Sequence, residues 1–144
     1  MAMTEKRSTA VGDLESMWRL PSREPARPKV LSGRATGLLV AGWLATLAVI
    51  LVFEPDAQAA RSVPAWGRAL GTGFLVAFVV TISGLANRRP WATGASLVAA
   101  GLGVMVGIAC AATGHHAGAW PAVEAATFAA LGAGTMIAAR KSAR

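Results

Sequence analysis

The residues best suited to proton or metal chemistry are Glu124, His115 and His116, which lie close together in the chain. A carboxylate beside paired imidazoles could move a proton or hold a cation. The plainer reading is preferred: Glu124 complements the dipole of the helix it opens, or pairs with Arg68. Adjacent histidines on a turn rarely bind one metal together, and no Cys or further His stands at zinc-like spacing, so His115 and His116 are weak metal candidates. The single cysteine, Cys110, lies among Ile108, Ala109 and Ala111 and reads as a small core filler. No Ser-His-Asp set, paired intramembrane carboxylates or phosphate-cradling glycine loop occurs in the chain. No catalysis and no cofactor is therefore expected.

The elements that carry these residues follow from where charge is missing. Of 144 residues 54% are hydrophobic and 15% charged, and the net charge is +7. Average soluble domains have roughly 25% charged residues, so an ordinary soluble enzyme is excluded and a bilayer is indicated. Positions 35–53 and 69–87 hold no charge, and neither do positions 90–123. Nineteen helical residues reach about 28 Å, close to the ~30 Å hydrocarbon core. The third stretch is too long for one crossing and is broken by Thr113-Gly114-His115-His116-Ala117-Gly118. The pattern predicts spans at about 35–53, 69–86, 91–112 and 119–139, with Pro121 in the first turn of the fourth. The fold class expected is all-α, four transmembrane helices in an antiparallel bundle.

Orientation follows from the basic residues. With an even number of spans and the N-terminus inside, only Arg61 and Arg68 of the fourteen Lys and Arg face outward. A multi-pass protein of the cytoplasmic membrane with both termini in the cytoplasm is expected. The run Ala57-Gln58-Ala59 after the first span resembles a signal-peptidase site, but the long basic region before it favours a retained signal anchor.

In hydrocarbon, apolar side chains gain little by leaving lipid, so helices associate through close backbone approach. Span three repeats small residues every fourth position at Ala95, Ala99, Gly103, Gly107 and Ala111. Span four does so at Gly118, Ala122, Ala126, Ala130, Gly134 and Ala138. Two such ridges facing one another would give a tight hairpin, with Glu124 turned away from the contact.

Residues 1–34 form a polar, basic, Pro-rich arm, too poor in apolar side chains to pack as a domain. Val11, Leu14 and Trp18 recur at helical spacing, suggesting a short interfacial helix over 11–20. Residues 140–144 form a basic tail, and Pro55 to Arg61 suits a short loop helix. The basic residues of the arm are scattered among acids and prolines, so lipid headgroups suit it and nucleic acid does not. The expected partners are the bilayer and other membrane subunits, reached through the spans and the arm. The function expected is that of a non-catalytic accessory subunit or assembly factor. The alternative is a small homo-oligomeric ion or proton transporter or channel using Glu124, because four spans enclose little space alone.

Overall fold

A computed structural model describes residues 30–53, 64–114, 116 and 118–142. The expected interfacial helix at 11–20, the loop helix between Pro55 and Arg61, His115 and the last two residues of the tail lie outside the described residues. Four helices account for most of what is described: α1 Gly33–Phe53, α2 Ala65–Ala86, α3 Ala92–Thr113 and α4 Trp120–Ser142. Their lengths of 21 to 23 residues correspond to about 32–35 Å, enough to cross a bilayer. Among the described residues there is no strand. The all-α antiparallel four-helix bundle expected from the charge gaps is the fold.

Helix ends overrun the uncharged stretches, because charge marks where hydrocarbon stops and not where backbone hydrogen bonding stops. Thus α2 begins directly after Pro64, four positions ahead of Ala69, and carries Arg68 in its first turn. Likewise α4 continues through Arg140 and Lys141, whose positive charges suit its C-terminal dipole. Ser32 starts α1, its hydroxyl accepting the Ala35 N–H at 3.3 Å. The turn from α2 to α3 is a Schellman closure, with Arg88 N–H on the Leu85 carbonyl and Arg89 N–H on that of Gly84, both at 2.9 Å. Arg88 occupies the left-handed position, φ 50°, that glycine usually fills. Gly114 closes α3 at φ 60°.

The helices form a ring in chain order, α1 against α2, α2 against α3, α3 against α4, and α4 back against α1. The α3–α4 contact is the most extensive, that of α2 with α3 next, and α1 touches its neighbours over shorter stretches. Close approach between α3 and α4 depends on glycine. A side chain at Gly107 would lie 2.9 Å from the Pro121 carbonyl and 3.0 Å from the Ala125 Cβ. At Gly103 it would run into the ring of Phe128, which lies flush on the helix backbone.

The ridge of α3 is therefore used, but by a large side chain and not by a second small ridge. The buried face of α4 passes through Pro121, Phe128, Gly132 and Thr135. Ala122, Ala126 and Ala130 are exposed on another side, and only Gly134 and Ala138 of that series are partly buried. Phe128 needs a hole, and the small residues of α3 provide it.

Gly103→Val is expected to lower bundle stability by about 1–3 kcal/mol through overpacking against Phe128. Gly101→Ala, on the open side of α3 with nothing within 4 Å, should change it by less than about 0.5 kcal/mol. Reversible unfolding in mixed micelles measures both.

Candidate functional site

Three wholly inaccessible polar side chains meet at the centre of the bundle, Trp43 of α1, Ser96 of α3 and Thr135 of α4. The Trp43 Nε1–H donates to Ser96 Oγ at 3.0 Å. Ser96 Oγ and Thr135 Oγ1 lie 2.9 Å apart, and Thr135 Oγ1 also lies 2.9 Å from the Leu131 carbonyl. Direction follows from what each atom can do. A carbonyl only accepts, so the single Thr135 proton goes to Leu131; Ser96 must then give its own proton to Thr135. The chain runs one way, Trp43 to Ser96 to Thr135 to the Leu131 carbonyl, with every proton used.

Around this chain stand four rings drawn from three helices. Trp43 meets Phe78 edge-on at 5.9 Å between centroids and Phe128 at 6.1 Å. Phe74 closes the circuit, 4.9 Å from Phe128 and 6.4 Å from Phe78. These are ordinary offset and edge-to-face distances. The helix without a ring, α3, supplies buried Ser96, Ala99, Ala100 and Gly103 to receive them. The centre of the bundle is thus filled with aromatic carbon around a closed hydrogen-bond chain. That arrangement suits packing, and it presents neither a titratable group nor a free nucleophile.

The residues singled out for chemistry gather at the opposite end from most of the cations. Glu124 is partly buried just past the first turn of α4 and is the one acidic side chain among the described residues. It stands four residues before Phe128, and so on the same side of α4 as the ring that packs on Gly103, not away from that contact. Arg68 is exposed in the first turn of α2 at the same end. His116 is buried, at 6% exposure. Cys110 helps to line a crevice of about 40 Å³ with Trp66, Gly67 and Leu70, which is room for a water or two and not for a substrate. Among the described residues no three His, Cys, Asp or Glu side chains stand close enough to hold a metal ion. On α3, Ala95 is partly buried, Ala99, Gly103 and Gly107 are buried and Ala111 is exposed.

No family model matches the chain, and neither a curated protein nor a solved structure is significantly similar to it. Fold and interior together define a small multi-pass membrane protein with four helices able to cross a bilayer.

One buried hydroxyl stands apart from the chain. Thr81 of α2 is as inaccessible as Thr135, but its Oγ1 has no hydrogen-bond partner. The same substitution should therefore act oppositely at the two sites. Thr135→Val removes the acceptor of Ser96 and should cost about 1 kcal/mol, near the usual size of a hydrogen bond between membrane helices. Thr81→Val replaces an unsatisfied hydroxyl with a methyl and should be neutral or stabilising. Equal destabilisation by both, measured in the same unfolding assay, would contradict this assignment.

Proposed function

We propose that this protein is a non-catalytic accessory subunit or assembly factor of a larger membrane complex, docking through the outer face of α4. One observation carries the reading. The exposed faces of α1, α2 and α3 are studded with large side chains, among them Leu38, Leu51, Leu75, Val79, Val98 and Ile108. Between exposed Val123 and Met136, the outer face of α4 instead presents only alanine, at Ala126, Ala129, Ala130 and Ala133, over about two turns. Bulky side chains mix with acyl chains as well as they mix with protein, whereas a smooth alanine face lets a partner helix bring its backbone close. The partner is thus another transmembrane helix. The filled centre favours this reading over conduction by one copy, since an ion path needs polar space along the axis.

Ala126→Leu with Ala130→Leu is expected to abolish stoichiometric co-purification of a partner from native membranes in gentle detergent, while helix content stays unchanged. Retention of the same partner by the double variant would overturn the docking face. Ion flux through reconstituted protein that is lost in Glu124→Gln would replace the reading with the channel alternative.

The orientation that accompanies it puts both termini in the cytoplasm. Arg34, Arg88, Arg89, Arg140 and Lys141 cluster at one end of the bundle, where α1 and α3 start and α2 and α4 finish, and basic segments resist translocation. Reporters fused to the two termini should both be active on the cytoplasmic side of the plasma membrane. Activity on opposite sides would refute a four-span topology.

A further inference from the structure

We propose that the groove between the start of α1 and the end of α4 is a binding site for one anionic phospholipid. The groove has a volume of about 520 Å³, within the roughly 300–1,000 Å³ of small-ligand sites. Its lining is ordered by depth. Arg34 and Lys141 stand at the rim; one turn further in, Leu38 and Ile137 form the walls, with Gly134 and Ala138 behind them. A turn of helix is about 5.4 Å, so cations and hydrocarbon are spaced as a phosphate diester and the first methylenes of its acyl chains are. Nothing lies within 4 Å of the position a Gly134 side chain would take, so the floor is open.

Charge at this end calls for an anion. The Arg88 guanidinium lies against Gly33, 2.7 Å from where a side chain there would begin. It thus adds positive charge to the first turn of α1, which already carries Arg34 and the positive end of the helix dipole. No carboxylate stands at this end among the described residues, since Glu124 opens α4 at the other. A free phosphate would satisfy the rim but leave the apolar walls empty. A zwitterionic lipid would fill the walls but bring its own cation to the rim. An anionic diacyl phospholipid satisfies both, as basic pockets between membrane helices commonly do. This site adjoins the α4 docking face, whose four-residue series Gly134 and Ala138 continue, but shares no residue with it and does not depend on it.

Native mass spectrometry of the full-length chain in nonionic detergent tests the site, with dioleoyl phosphatidylglycerol and dioleoyl phosphatidylcholine added in turn. One phosphatidylglycerol should be retained in preference to phosphatidylcholine, and excess sodium phosphate should not displace it. Arg34→Gln and Lys141→Gln should each weaken phosphatidylglycerol about fivefold, the factor that corresponds to ~1 kcal/mol per cation near anionic lipid. Gly134→Leu fills the floor without touching charge, and should weaken both lipids. Both cations are exposed, so helix content by circular dichroism should be unchanged in their variants. Equal binding of the two lipids overturns the proposal, leaving the groove to the chain's own first 29 residues or a second copy. Competition by phosphate alone overturns it in favour of a free-anion site, and undiminished phosphatidylglycerol binding by Arg34→Gln/Lys141→Gln removes the rim from it.

Discussion

The bundle is organised by one donor that has nowhere else to go. An indole N–H buried among aromatic rings must find an acceptor, because no water reaches it and an unmade hydrogen bond in such a place costs about 1–3 kcal/mol. Trp43 finds Ser96 on the helix diagonally opposite, although α1 and α3 make no backbone approach to one another. Reaching it fixes how far the indole extends, and Thr135 on α4 fixes the hydroxyl that receives it. Three helices are tied by two short bonds, and the relay ends on a backbone carbonyl that leaves no proton spare.

Packing around that chain follows from size. Trp43, Phe74, Phe78 and Phe128 come from α1, α2 and α4, so the fourth wall has to be thin. In a membrane the energy comes from dispersion and close fit, since transfer from lipid to protein interior yields little. Gly103 under the Phe128 ring and Gly107 beside Pro121 and Ala125 are where that fit is tightest. The small residues of α3 are thus sockets for rings, whereas those on the exposed side of α4 have no occupant among the described residues. The same residue type serves two different purposes on neighbouring helices.

The number of helices and their approximate extent were readable from the charge gaps, once the Thr113–Gly118 turn divided the longest, because a lysine or arginine is costly at the depths where it is missing. Their ends were less readable: Arg68 and Lys141 sit at interfaces where a helix continues beyond the hydrocarbon. On α3 the spacing of Ala99, Gly103 and Gly107 identified the contact face. On α4 it did not, since Ala122, Ala126 and Ala130 repeat equally well but the face is chosen by the one large knob, Phe128. Glu124 shares its side of α4 with Phe128, four residues on, and so turns away from the alanine series and not from α3. The Trp43–Ser96–Thr135 chain left no local signal. Its members stand 53 and 39 residues apart, and serine and threonine in spans mostly bond their own backbone, as Thr127 does with the Val123 carbonyl. Neither the partner proposed for α4 nor the ligand proposed for the basic groove is written in a motif; both proposals rest on which surfaces the described residues leave bare.

The central claim is that Trp43 is held as a buried donor in the middle of the bundle. Exchange of the five indole N–H groups with deuterated water, followed by NMR in micelles or nanodiscs and assigned by Trp43→Phe, measures this directly. The Trp43 signal should persist longest, well beyond those of the half-exposed Trp66 and Trp91, and should exchange faster in Ser96→Ala. A Trp43 indole that exchanges as fast as Trp66 would contradict a bundle closed around it.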